Sequence, residues 1–240
     1  MKKTAEIKFL EGPQSRLKEL KFAVQTAFEL IRGFRALHFV GPCITVFGSA
    51  RFKEDHPYYD LTRKAAGEFA KLGFTILTGG GPGLMEAANR GAKDVGGRSV
   101  GCNIQLPVEQ MPNPYLDKWV IMKHFFLRKV LLVKYSFAFV VMPGGYGTMD
   151  EYFEALTLIQ THKIKDFPII IFGKEYHKEL LAHIEVMKKE ATISAPDSRL
   201  FLITDDIKEA TELIREKSIK QYGLKPSAKM KPFSWLFEHR

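Results

Sequence analysis

FAFVVMPGGYGTMDEYFEALTLIQTH, residues 137–162, is the stretch whose reading decides the fold. Phe137 to Met142 is an unbroken apolar run of strand length, and the segment from Thr148 to His162 reads as a helix. Between them Pro143, Gly144, Gly145 and Gly147 make a glycine-rich turn that enters the helix. A buried strand that feeds a helix through a glycine-rich turn is the building unit of a parallel sheet covered on both faces.

The same unit occurs upstream at FTILTGGGPGLMEAANRGAKD, residues 74–94. Strand-like runs follow at Cys43 to Gly48, Phe74 to Thr78, Ser99 to Ile104, Phe137 to Met142, Pro168 to Phe172 and Leu200 to Thr204. A weaker one, Trp119 to Met122, suits a sheet edge. Helical stretches fall near Tyr58 to Leu72, Leu84 to Asp94, Phe125 to Tyr135, Thr148 to His162, Tyr176 to Glu190 and Asp206 to Glu216. This alternation predicts a Rossmann-like α/β fold, a doubly wound parallel sheet in three α/β/α layers.

Ahead of the first strand, Leu17, Leu20, Phe22, Val24, Phe28 and Ile31 recur at helical spacing, and Gly41-Pro42 ends that pattern. The expected organisation is a helical extension over 1–42, a nucleotide-binding α/β domain over 43–217 and a basic, aromatic tail over 218–240. Phe233, Trp235, Leu236 and Phe237 in the tail read either as an apolar sticker on a disordered segment or as a group that docks on the first helix or on a second subunit.

With 240 residues, 45% hydrophobic and 26% charged, the chain suits one domain with additions at its ends. No apolar run approaches the roughly 20 residues of a membrane span, and no signal-peptide pattern opens the chain, so a cytoplasmic protein without membrane partners is expected. Cys43 and Cys102 lack metal-ligand spacing and read as reduced core thiols. The histidines are scattered, so neither a metal nor another cofactor is expected. The formal charge of +9 is spread along helices and concentrated between Lys217 and Lys231. No basic block interleaved with aromatics accompanies it, so most of these residues read as a solvated face and nucleic acid is not expected as a partner; a phosphorylated ligand drawn into a basic cleft is also compatible with the excess.

Ligands of open α/β sheets sit at the carboxyl ends of the strands, which makes both glycine turns candidate sites. The first, Thr78 to Ala92, has four glycines in five positions but lacks the spacing of the G-x-G-x-x-G dinucleotide fingerprint. In the second, Gly144, Gly145 and Gly147 let a phosphate approach backbone N–H groups at a helix start, with the Thr148 hydroxyl beside them. Asp150 and Glu151 sit in that first helical turn, either as capping carboxylates or as groups facing the ribose of a bound nucleotide.

The string Pro143-Gly144-Gly145-Tyr146-Gly147-Thr148-Met149-Asp150-Glu151 resembles the PGGxGTxxE signature of the Lonely Guy family, formerly often labelled lysine decarboxylases. The resemblance extends from about Ile44 to Ile214, through FGSA, GGGPGLMEAAN, LPVEQMPN and HFFLRK, and is nearest to the bacterial second type. It implies hydrolysis of the N-glycosidic bond of nucleoside 5'-monophosphates, AMP or N6-modified cytokinin riboside monophosphates, in a homodimer or larger homo-oligomer. It further implies Arg128 and Glu151 as the catalytic pair. The substrate-binding candidates are Ser49, Gly81, Glu109, Lys129, Gly144, Gly145, Gly147, Thr148, Asp150 and Thr157. His124, close to Arg128, is a further acid or a packed bystander. The alternatives are a non-catalytic carrier or sensor of a nucleotide-derived ligand, similar to molybdenum-cofactor carriers, and an interaction protein whose assembly is the point. A pyridoxal-dependent decarboxylase finds no lysine in a suitable context.

Overall fold

The computed structural model describes residues 12–106, 111–164 and 167–221. Glu109 and the aromatic tail lie outside the described residues. Seven parallel strands form one sheet: β1 (Cys43–Phe47), β2 (Thr75–Thr78), β3 (Ser99–Ile104), β4 (Lys118–Met122), β5 (Ser136–Val141), β6 (Ile169–Ile171) and β7 (Phe201–Ile203). Their order is β4-β3-β2-β1-β5-β6-β7. The chain winds outward from β1 to β4 and then returns to place β5 on the other side of β1. The topological switch point therefore lies between β1 and β5, where open sheets of this kind bind ligands.

Among the described residues, seven α-helices accompany the sheet: α1 (Arg16–Leu37), α2 (Pro57–Lys71), α3 (Leu84–Asp94), α4 (Phe125–Tyr135), α5 (Tyr146–Gln160), α6 (Lys178–Lys189) and α7 (Ile207–Ile214). Every residue of β1 and β2 is buried, which is why both strands read as continuous apolar runs. On one face Leu37, Leu131, Tyr152 and Ala155 from α1, α4 and α5 pack on Phe47, Leu77, Phe139 and Val141. On the other, Phe69, Leu84, Ala87, Ala210 and Ile214 from α2, α3 and α7 pack on Ile44, Ile76 and Val140. Each large side chain removed from water in this way contributes about 1.5–3 kcal/mol.

Local chemistry sets the helix starts. The His56 ring accepts the Tyr58 N–H with Pro57 in the first turn, and the Asp206 carboxylate accepts the Lys208 N–H. The weak run at Trp119 is an edge strand, pairing among the described residues with β3 alone. Helix α1 departs from an ordinary amphipathic helix, because it has two apolar faces. Leu17, Leu20, Val24, Phe28 and Ile31 are exposed, while Leu30, Gly33, Phe34 and Leu37 face the protein. Gly33 lets α1 lie against α4: a methyl there would stand 2.6 Å from Leu131 Cδ1. Both cysteines are buried and free, and burial pushes the Cys102 thiol up to about 12.

Candidate functional site

At the switch point the pairing of β1 with β5 runs on into the loops: Met142 N–H donates to Phe47 O at 2.8 Å and Ser49 N–H to Pro143 O at 3.0 Å. Beyond these bonds the two loops diverge around a cleft of about 690 Å³. Ser49, Ala50 and Arg51 line one wall, and Gly144, Gly145, Tyr146, Gly147 and Thr148 the other. Gly79, Met85 and Arg128 line it as well, together with Tyr176.

The second glycine turn is shaped for close approach. A Cβ on Gly144 would sit 2.2 Å from Thr148 Oγ1, so this residue has no room for a side chain. Gly145 and Gly147 are the reverse, since a Cβ on either would meet only open space. Helix α5 starts at Tyr146, two residues before the expected Thr148, with Gly145 as its N-cap. Thr148 N–H already bonds to Gly145 O at 3.0 Å. The Tyr146 and Gly147 amides precede any intrahelical acceptor, and the positive end of α5 meets the cleft beside them. Such an end binds an anionic group such as phosphate.

The first glycine turn is filled mostly by protein. Gly80 and Gly83 both have positive φ; a Cβ on Gly80 would strike the Trp119 ring at 2.1 Å, and one on Gly83 would lie 2.5 Å from Ser49 O. Leu84 N–H, at the start of α3, donates to Ser49 O at 2.9 Å. Asn113 Nδ2 donates to Gly81 O at 3.1 Å and to Asn89 Oδ1 at 2.9 Å, and Thr78 Oγ1 donates to the same Asn89 oxygen at 2.7 Å. Gly79, not Gly81, brings this turn to the cleft.

Arg128 on α4 and Glu151 on α5 meet with Nη1 to Oε1 at 3.1 Å, and Arg128 Nε donates to Cys102 O at 3.1 Å. The Glu151 side chain is 2% exposed, against 14% for Arg128, which lines the cleft in front of it. Burial pushes the Glu151 carboxyl up to about 7, although Arg128 and then Lys129 pull in the opposite direction. A carboxyl at that value is half ionised near neutral pH. Lys129 ties the same two helices together, bonding Asp150 at 2.9 Å and Glu154 at 3.0 Å. Burial works against its charge, but these two carboxylates outweigh it and raise the ammonium above its ordinary value.

Of the residues expected from the sequence, Ser49, Gly144, Gly145, Gly147, Thr148 and Arg128 line one cleft, with Glu151 behind Arg128 and the Lys129–Asp150 pair beside it. Thr157 is farther along α5; its hydroxyl donates to Phe153 O, and it borders a separate hollow with Leu156, Ile184 and Met187. His124 is engaged elsewhere, its Nδ1 2.7 Å from Oε2 of the buried Glu29 on α1. Arg51, Met85 and Tyr176 line the cleft without having been singled out. Arg51 had a signal, since it directly follows the FGSA that ends the first strand; Tyr176 had none.

A family model described as "Possible lysine decarboxylase" matches residues 85–214. A cytokinin riboside 5'-monophosphate phosphoribohydrolase of Rhodococcoides fascians is 27% identical over 175 residues, covering 72% of this chain and 88% of that protein. A pyrimidine/purine nucleotide 5'-monophosphate nucleosidase of Escherichia coli is 29% identical over 161 residues, 61% of this chain and 34% of that protein. The fold is similar to that of a molybdenum cofactor binding protein of Rippkaea orientalis, with a TM-score of 0.55 at 22% identity over 73% of this chain and 96% of that one.

Proposed function

The chain belongs to the Lonely Guy family, and on that premise we propose that it hydrolyses the N-glycosidic bond of nucleoside 5'-monophosphates, AMP or its N6-modified cytokinin counterparts. The observation that carries this reading is the buried Arg128–Glu151 pair beside the open end of α5. The 5'-phosphate rests on the Gly144–Thr148 turn, with Ser49 across from it, and the ribose lies toward Arg128. Glu151, reached as the Arg128 guanidinium turns toward the substrate, takes a proton from the attacking water. The water oxygen bonds to C1', the C1'–N bond breaks with its electron pair going to the base, and the proton held by Glu151 passes to the departing base. Ribose 5-phosphate and free base result. The ionised carboxylate also stabilises the oxocarbenium-like transition state. Arg128 remains charged throughout and orients Glu151 with its fork of donors. Lys129 and Asp150 hold α4 to α5 beside the substrate.

Incubation with AMP and with N6-isopentenyl AMP, with free base and ribose 5-phosphate followed by chromatography, tests the reading. Glu151→Gln and Arg128→Ala are expected to lower turnover by about 10²–10⁴. Wild-type kcat/KM should rise with pH through about 7, because the carboxyl must be ionised to accept the proton. Tight nucleotide binding without release of base would point to a carrier instead. Copies of the chain associate, on the same proposal, through the outward stripe of α1, where five large apolar side chains lie exposed along one face.

A further inference from the structure

Two arginines line the cleft, and they differ in what already holds them. The Arg128 guanidinium is bonded to Glu151 and to Cys102 O. The Arg51 guanidinium, exposed on the opposite wall, has no hydrogen bond or ion pair with any described residue. Several arginines elsewhere are satisfied, Arg63 by Asp94, Arg90 by Glu54 and Arg215 by Glu212.

The backbone that carries Arg51 is, by contrast, firmly held. Its N–H donates to Ser49 Oγ at 3.1 Å. The ring of the next residue, Phe52, lies 4.1 Å from that of His56, which lies 5.2 Å from that of Tyr58. Tyr58 meets Tyr176 edge-on at 6.3 Å, and the Tyr176 hydroxyl donates to Gly144 O at 2.9 Å. A run of rings thus ties the segment behind Arg51 to the glycine turn across the cleft. The held backbone and a guanidinium without a partner among the described residues line the same cleft as the start of α5.

We infer that Arg51 reads the 5'-phosphate and makes the cleft select nucleoside monophosphates over nucleosides. This rests on the proposal that the cleft holds a nucleotide. The guanidinium takes two phosphate oxygens as a bidentate pair, and the Tyr146 and Gly147 amides take the third. Arg128, already paired with Glu151, is left to the sugar.

The test is Arg51→Ala and Arg51→Lys, each first checked for an unchanged melting temperature, with two readouts. In turnover, Arg51→Ala should lower kcat/KM for AMP by about 10- to 100-fold, mostly through KM, and leave the slower reaction of adenosine unchanged. Arg51→Lys should recover only part, since an ammonium cannot form the bidentate pair. In calorimetry, the affinity for ribose 5-phosphate should fall by a similar factor while that for ribose stays the same. Equal losses on AMP and adenosine, or ribose 5-phosphate binding as tight in Arg51→Ala as in wild type, would overturn the assignment. A wild-type protein that releases no base, yet loses phosphate-dependent binding in Arg51→Ala, would refute the hydrolase and keep Arg51.

Discussion

Glu151 offers a measurement of its environment that needs no substrate. In the folded protein its carboxyl is pushed from an ordinary 4.5 to about 7, with burial the largest cause. The native state therefore holds a proton that the unfolded chain releases, and stability must fall as pH rises across that interval. Each tenfold difference in proton affinity is worth about 1.4 kcal/mol, so the side chain costs roughly 3 kcal/mol once both states are ionised. Glu151→Gln removes the titration and keeps the shape. Well below pH 4.5, where both states hold the proton, the variant and wild type should differ by a constant amount that reflects only the amide. Between there and pH 8 the variant should gain about 3 kcal/mol relative to wild type, enough to raise the melting temperature by several degrees. Urea unfolding of both proteins at half-unit steps from pH 4.5 to 8.5 reads this difference directly. A difference that stays flat across the range would mean the carboxyl is not held in a desolvated site, and the proton-acceptor role built on it would fall too.

The glycine turn should respond by position. Gly144→Ala, whose methyl would collide with Thr148, should disrupt the turn and lower stability by about 1–3 kcal/mol. Gly145→Ala, whose methyl meets open space, should fold normally and weaken nucleotide binding alone, as calorimetry would register. The Tyr152 hydroxyl is buried with no partner among the described residues, so Tyr152→Phe should leave stability unchanged or raise it by up to about 1 kcal/mol in thermal unfolding. Charge placed on the outward stripe of α1, as in Val24→Glu with Phe28→Glu, should shift the protein toward monomer in light scattering without altering its circular dichroism.

Three elements were legible in the sequence to the residue: β3, a fully buried run, and the helices α3 and α4 have the bounds their patterns predict. Helix α5 starts two residues ahead of the expected Thr148, because Gly147 sits in its first turn, where its missing side chain faces open space. The first glycine turn was ambiguous for a different reason. Four glycines make room equally for a ligand or for protein, and the occupants, Trp119 and the Ser49 carbonyl, come from segments remote in sequence. No local pattern encodes such packing. The pairing of Arg128 with Glu151 likewise depends on how α4 and α5 lie together, and only the family resemblance brought it into view. The two faces of α1 were invisible because periodicity reports the stronger apolar stripe, and here the stronger one points outward.

Glu29 gives α1 a consequence beyond its place ahead of the sheet. Its buried carboxylate accepts the amide N–H groups of Lys123 and His124, and the His124 ring, immediately before α4 begins. Burial works to raise this carboxyl, but those partners, the Lys123 amide foremost, hold it below its ordinary range. The segment leading into the helix that carries Arg128 is therefore anchored from a distant part of the chain. Any engineered version begun at Gly41 would remove that anchor, leave two amides and an imidazole without their acceptor, and loosen the footing of the arginine. For grafting, shuffling or minimising this scaffold, α1 and α4 travel as one cassette.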